Sequence, residues 1–344
     1  MDVSKKMDTD FTREAILQKP VAEGTLRCHV CERRCVIPPG QLGWCRTRLN
    51  RGGTLLTLVY GAISTMTANA IEKKPLYHFY PGTKTMTAGG WCCNFPCLWC
   101  RNWDIAHAEA PLTGEFISPS QFVSIAEEAG CQGIAMSFNE PTLALEWVLN
   151  AFEAAQARGL YNVFVTNGYM TPEALMFLVN AGMHAMNVDI NTDVALARRF
   201  LDGVDMERIW MNCKIALQYG VHVEISTLVI PALNDDEGVL RGIARRIAVE
   251  LGVDIPWHLA GYIPSYKYNA PHTPLYTLEM AWEIGKGAGL HYVYINQQGN
   301  RHENTECPNC GSLLIRRLGP LVLSNVIRDG ACPRCGTAIR GVWG

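Results

Sequence analysis

No stretch of this 344-residue chain approaches the roughly 20 consecutive apolar residues that a membrane span requires, so no membrane partner is expected. Neither sign of charge is in excess: 30 Lys and Arg face 32 Asp and Glu. Without a basic surplus, nucleic acid is not the expected partner. Residues 1–20 alternate charges and hold no apolar run, which is unlike a secretory leader. Charged residues make up only 18% and hydrophobic residues 48%, the balance of a globular enzyme rather than a disordered chain. The length suits one large domain with attachments, or two domains.

Cysteine is what the chain has in plenty, with fourteen. Eleven fall into three clusters: Cys28, Cys31, Cys35 and Cys45; Cys93, Cys97 and Cys100; Cys307, Cys310, Cys332 and Cys335. A secreted disulfide scaffold is normally much smaller than this, so reduced thiols in a cytoplasm are expected. Cys92, Cys131 and Cys213 are expected to be small core residues or, for Cys92, a poor ligand.

The middle cluster organises the rest. Cys93, Cys97 and Cys100 stand at C-x3-C-x2-C spacing, with Trp99 just before the last. Three thiolates can hold three corners of a cubic iron–sulfur cluster and leave the fourth iron open. An electron-transfer cluster normally has a fourth cysteine nearby. A zinc knuckle also wants a fourth ligand, and no cysteine follows closely after Cys100. An open iron invites a small-molecule ligand, which points to chemistry.

The flanking clusters read differently. Cys28-x2-Cys31-x3-Cys35-x9-Cys45 is interrupted by Pro38, Pro39, Gly40 and Gly43. Four cysteines among such loop residues need a metal to order them. Zinc and an auxiliary iron–sulfur cluster both fit four thiolates, and zinc is preferred here. In the tail, Cys307-Pro-Asn-Cys310-Gly and Cys332-Pro-Arg-Cys335-Gly are near-identical knuckles about twenty residues apart. That is zinc-ribbon spacing, with a rubredoxin-like iron site as the alternative.

Between the flanks, strand-like and helix-like text alternates. Strands are expected over 83–88, 133–138, 162–166, 185–190, 222–230 and 256–260, with a short seventh over 292–295. Helices are expected over 141–157, 172–181, 206–219, 235–251 and 277–288. Alternation of this kind implies an α/β fold with a parallel sheet and helical crossovers. Reactive groups in such barrels gather at the carboxyl ends of the strands. The cysteine loop follows the first strand, Asn139-Glu140-Pro141 the second, and Thr166-Asn167-Gly168 the third, while Asp189 ends the fourth.

The C-x3-C-x2-C stretch resembles the signature of radical S-adenosylmethionine (SAM) enzymes. The wider text, including Glu72-Lys73-Lys74-Pro75-Leu76-Tyr77-His78-Phe79-Tyr80-Pro81-Gly82, resembles the AmmeMemoRadiSam-type branch, relatives of the pyruvate formate-lyase activating enzymes. The likeness runs from Cys28 to the C-terminus. It implies a partial (β/α)6 barrel over 81–296, between a four-cysteine segment over 1–80 and a zinc-ribbon-like domain over 297–344. It also implies a 4Fe-4S cluster on Cys93, Cys97 and Cys100, with SAM chelating the open iron. Trp99 would pack near the adenine. In relatives a Gly-Gly-Glu-Pro stretch binds the methionyl amino group; here Phe138-Asn139-Glu140-Pro141 stands in its place, and Asn139 would share the work with Glu140. Thr166, Asn167 and Asp189 are placed for the ribose hydroxyls. Glu224 is a weaker candidate, since a lone carboxylate repels that of SAM. Substrate candidates by position and polarity are His78, Trp257, His258, Tyr262, Tyr266, Lys267 and His302, with His78 and His258 also suited to the core.

Three functional readings follow. The first is hydrogen abstraction from a protein, peptide or small molecule, fed by a low-potential electron donor. The resemblance implies Memo-like and AMMECR-like partner proteins. The second is a glycyl-radical enzyme activase. The third is a non-enzymatic electron-transfer or zinc-scaffolded module, which the missing fourth cysteine disfavours.

Overall fold

The computed structural model describes residues 10–110, 115–296 and 299–344. The first nine residues of the expected N-terminal segment and the expected boundary at 297 lie outside the described residues. One eight-stranded sheet dominates: β1 Thr65–Ala70, β2 Lys84–Gly89, β3 Gly133–Ser137, β4 Tyr161–Thr166, β5 Ala185–Asp189, β6 His222–Val229, β7 Trp257–Gly261 and β8 Val293–Ile295. Its spatial order is sequential from β8 to β1. The strands β2 to β8 are mutually parallel. β1 runs antiparallel beside β2, and Thr65 faces Gly89 across that pair. The expected seventh strand therefore extends the sheet, and an antiparallel edge that periodicity did not reveal closes the other side.

Each parallel step is bridged by a helix: α1 Pro119–Glu128, α2 Leu145–Gln156, α3 Pro172–Asn180, α4 Met206–Gln218, α5 Glu237–Arg246 and α6 Leu275–Gly287. Local sequence sets their starts. Ser118 and Gln121 form a reciprocal capping box on α1 with Pro119 inside the first turn, and Thr171 caps α3 ahead of Pro172. α1 was absent from the expected helices. Two expected helices are shorter than their text. Residues 141–144 form a tight 3-10 turn before α2, and 247–251 loosen into a π-type turn after α5. Ahead of this sheet, Thr54–Thr57 belongs to a separate small sheet with Arg48–Arg51 and Arg13–Glu14.

The inner strands are buried along most of their length, as in a sheet covered on both faces. Gly133 is required by that packing, because a Cβ there would lie 2.0 Å from the Tyr161 ring. The amino ends of the strands are plugged by residues 71–80. The Tyr77 and His78 amides donate to Glu224 at 3.0 and 2.8 Å, and Asn187 Nδ2 donates to the Pro75 carbonyl at 2.8 Å. The tail closes over this plug. Val342 exchanges backbone hydrogen bonds with His78 and Tyr80, and Arg317 donates to the Tyr77 carbonyl from above its ring. Before that contact, Leu313–Leu318 and Leu321–Asn325 form a hairpin.

Candidate functional site

The loop after β2 turns sharply at Cys92, which holds a left-handed φ of 67°. Asn139, from the end of β3, pins both sides of that turn. Its Oδ1 accepts from the Gly90 amide at 2.9 Å and its Nδ2 donates to the Cys92 carbonyl at 2.8 Å. Asn102 donates back to the Phe138 carbonyl at 2.6 Å. On the far side, the Lys267 and Tyr268 amides donate to the Leu98 carbonyl at 3.0 and 2.9 Å. Cys93, Cys97 and Cys100 are thereby turned into a single cavity of about 570 Å³ at the carboxyl ends of the strands. Burial pushes all three thiols up, and for Cys93 and Cys97 a neighbouring cysteine adds to the effect. Three sulfur donors in one cavity are the donor set of a thiophilic metal cluster, so the residues present fit the iron–sulfur group the spacing implies.

Trp99, Asn139, Glu140, Thr166, Asn167 and Asp189 all line the same cavity. Their polar atoms differ in what they are free to do. Glu140 is buried and accepts from the Thr142 and Asn167 amides and from the Thr142 and Thr166 hydroxyls. Desolvation raises its pKa against those lowering hydrogen bonds. Thr166 Oγ1 also accepts from the Gly168 amide, while Asn167 donates to Asn94 Oδ1 at 2.7 Å. Asn139, Glu140, Thr166 and Asn167 thus tie the ends of β3 and β4 to the cysteine loop. Sequence spacing placed them at the cavity but could not show that adjacent strand ends satisfy one another. Asp189 has no side-chain hydrogen bond among the described residues. It is open to the cavity yet hemmed in by protein, and desolvation, then the charge of Glu140, pushes its pKa up to about 7. Trp99 is buried, with ring edges toward Phe200 and Tyr268 at centroid separations of 6.1 and 6.3 Å.

The expected substrate-side residues are elsewhere. His78, Trp257, His258, Tyr262, Tyr266, Lys267 and His302 do not line the cavity. Glu224 does not either. It is fully buried below, accepting from His222 at 2.8 Å, from His258 at 2.6 Å and from the plug amides. Those donors hold its carboxyl well below the usual range although burial opposes them. His78 bridges Tyr294 and the Arg340 carbonyl, and Trp257 donates to Thr227. Tyr262 donates to the Tyr268 carbonyl, Tyr266 stacks on Trp103 and His107, and His302 packs on Trp282. Lys73, Lys74, Arg101, Ser137, Asn187, Ser226 and Asn296 do line the cavity and were missed. Strand alternation could have found the inward-facing Asn187 and Ser226; nothing local reveals that the plug sends Lys74 into the cavity.

The three cysteine groups have different dimensions. In the tail, Cys307 and Cys335 sulfurs lie 3.6 Å apart and those of Cys310 and Cys332 3.7 Å. A tetrahedral ion with metal–sulfur bonds of about 2.3 Å spaces its thiolates about 3.8 Å apart. Among the described residues this is the only set of three or more Cys, His, Asp or Glu whose ligand atoms all fall within 4.8 Å. Cys28, Cys31, Cys35 and Cys45 instead stand around one small pocket, beside the buried Arg48–Glu146 ion pair. No three of their sulfurs fall within 4.8 Å of one another. Cys92, Cys131 and Cys213 are buried, as expected of core residues. None of the fourteen cysteines is in a disulfide.

Comparison with known proteins agrees with this geometry. The chain is 36% identical over 334 residues to an uncharacterized protein of Methanocaldococcus jannaschii, covering 95% of this chain and 98% of that one. GTP 3',8-cyclase of Campylobacter jejuni is 25% identical over 150 residues, 42% of this chain and 46% of the cyclase. Among solved structures, Streptococcus suis SuiB bound to S-adenosylmethionine shares the fold at a TM-score of 0.50 and 14% identity, over 67% of this chain and 53% of SuiB. Residues 92–241, which begin at the cysteine loop and run through α4 and β6 into α5, match the sequence pattern of the radical SAM superfamily, so the chain carries a radical SAM domain.

Proposed function

We propose that this enzyme cleaves SAM reductively at a 4Fe-4S cluster on Cys93, Cys97 and Cys100 and uses the product to abstract hydrogen from a substrate in the same cavity. The observation that carries the reading is three thiols facing one cavity that no other cysteine of the described residues lines. When bound, the cluster and SAM supply an electron at low potential and a 5'-deoxyadenosyl radical. The chain's own residues bind, orient and exclude water. Asn139 holds the cysteine loop against the end of β3. Glu140 anchors the ends of β3 and β4 and presents its edge to the methionyl ammonium. Asp189 is the unpartnered acceptor for the ribose hydroxyls, and Thr166 and Asn167 shape the wall beside it. Trp99 forms an apolar face for the adenine and screens the cluster from water.

The finer assignment is to the AmmeMemoRadiSam-type branch, with Memo-like and AMMECR-like proteins as partners and a cytoplasmic setting that keeps the fourteen thiols reduced. The division into a four-cysteine segment over 1–80, a barrel over 81–296 and a tail over 297–344 belongs to the same reading. The tail's short sulfur separations favour zinc at Cys307, Cys310, Cys332 and Cys335. At Cys28, Cys31, Cys35 and Cys45 the reading is a closed four-thiolate site, with zinc or an auxiliary iron–sulfur cluster as its metal.

The test is anaerobic. Reconstituted protein with dithionite and SAM should release 5'-deoxyadenosine and methionine slowly without substrate. The Cys93→Ala, Cys97→Ala, Cys100→Ala variant should release none at any SAM concentration. An intact, reduced cluster that yields no 5'-deoxyadenosine, with or without the candidate partners, sinks the proposal.

A further inference from the structure

Lys74 is the anomaly of the cavity. It leaves the plug at the amino ends of the strands, opposite the cysteine loop, and lines the cavity from below. Its residue surface is only 4% exposed. Its ammonium has no ion pair and no hydrogen bond among the described residues, while its backbone amide donates to the Ile71 carbonyl at 2.8 Å. Its closest recorded company is the Phe138 ring, whose centroid lies 4.8 Å from Nζ. A desolvated ammonium without a partner is costly, and desolvation, then the charge of Lys73, brings this one down to about 8. Asp189 lines the same cavity, while the carboxylates of Glu72 and Glu224 are engaged elsewhere. Glu72 takes the Gly82 amide and faces Arg317, and Glu224 takes two histidines and two amides. Phe138 holds a left-handed φ of 73°, strained for an aromatic residue, while it keeps its ring beneath the ammonium.

Two further buried polar groups in the cavity wall have no hydrogen-bond partner among the described residues: Ser226 Oγ and Asn187 Oδ1. Both project from strands β5 and β6, and Ser226 stands opposite Asp189 in the register. Asn187 also holds the carbonyl of Pro75, the residue after Lys74, so the two are tied together. Orphaned polar groups of this kind in one cavity mark where a ligand completes the hydrogen bonding.

We propose that Lys74, Ser226 and Asn187 form a substrate subsite that recognises an anionic group, a carboxylate or a phosphate, at the floor of the cavity. The ammonium meets the negative charge, the Ser226 hydroxyl donates to it, and Asn187 Oδ1 accepts from a neighbouring hydroxyl or amine of the substrate. The inference rests on the cavity being the active site of the proposed reaction. The carboxylate of SAM itself belongs at the open iron of the cluster, which leaves Lys74 for the substrate.

The test uses reconstituted, SAM-bound full-length protein. Its thermal midpoint is followed against inorganic phosphate and, separately, acetate, with chloride keeping ionic strength constant. One of the two anions should raise the midpoint saturably, and which one does identifies the group. The response should vanish in Lys74→Met, weaken in Ser226→Ala and persist in Lys267→Ala. Without anion, Lys74→Met should unfold a few degrees higher than the parent, because the uncompensated ammonium is gone. An unchanged response in Lys74→Met, no saturable response to either anion, or a lower midpoint for Lys74→Met without anion overturns the subsite. Wild-type release of 5'-deoxyadenosine, measured separately, distinguishes the cases. Release without an anion response defeats the subsite alone, and no release defeats the parent reading.

Discussion

Asp189 has a carboxylate that reaches the cavity without a protein partner, while that of Glu140 is ringed by donors. Its pKa of about 7 decides when it accepts hydrogen bonds. Below that value the carboxyl is largely neutral; above it, both oxygens accept. SAM binding by the wild-type protein should therefore tighten between pH 6 and 8. Asp189→Asn should bind more weakly at pH 8, by about 1–3 kcal/mol for a charged acceptor made neutral, and show little pH dependence. Equilibrium titration of SAM across that range is the measurement, and an equally steep profile in the Asn variant defeats the assignment. Stability runs the other way. A carboxyl whose folded pKa is raised holds its proton longer in the native state, so its contribution declines as pH climbs from the ordinary carboxylate range toward 7. Glu224 shows the contrasting environment. Four donors keep it ionised in the plug, where it fastens Tyr77 and His78 to the sheet.

At the scale of elements, the C-terminal hairpin and its knuckles do more than decorate the chain. Cys307, Cys332, Leu314 and Ile315 share a hydrophobic cluster with Tyr77, Tyr292 and Tyr294. Tyr294 in turn hydrogen-bonds His78 and Thr305. A metal at the knuckles is therefore coupled to the floor of the barrel. Purified protein should carry a full equivalent of zinc, and Cys332→Ser should release it. Because closed zinc sites contribute folding free energy directly, the variant should also lose thermal stability. Retention of zinc by the variant, or iron in its place in protein purified without reconstitution, contradicts the zinc assignment.

The whole molecule carries three cysteine sites of two sizes, and a metal inventory separates them. Two cubanes and one zinc amount to about eight irons and one zinc per chain after anaerobic reconstitution. If the first site holds a cubane, the Cys28→Ala, Cys31→Ala variant should fall to about four irons, keeping its zinc and the cluster on Cys93, Cys97 and Cys100. About four irons and two zincs in the parent would assign the first site to zinc. The segment holding that site lies against the catalytic loop. Arg33 donates to the Asn94 carbonyl at 3.2 Å, and the Thr171 hydroxyl donates to the His29 carbonyl at 2.6 Å. Among the described residues no helix is long and apolar enough to cross a membrane.

Much of this architecture was legible in the residues because it depends on local repetition. Period-two and period-four apolar patterns gave seven parallel strands and most of the helices between them, since each element must bury one side to persist. The three-cysteine spacing and the paired knuckles were readable for the same reason: a short loop fixes which sulfurs can converge. The antiparallel strand Thr65–Ala70 escaped, because its Thr-Met-Thr-Ala-Asn-Ala text alternates only weakly, with alanine at two of its three apolar positions. Asn139, Glu140, Thr166, Asn167 and Asp189 could be placed at strand ends from sequence, yet only the register of β3, β4 and β5 decided which polar atoms meet one another and which stay open. Lys74 was beyond sequence reasoning altogether. Its reach into the cavity exists because Glu224, more than a hundred residues away, anchors the plug by its backbone and turns one lysine inward. Elements follow from neighbours along the chain. The free valences of the site follow from neighbours in space, and hydrogen bonding between distant strands is settled only when the sheet has formed.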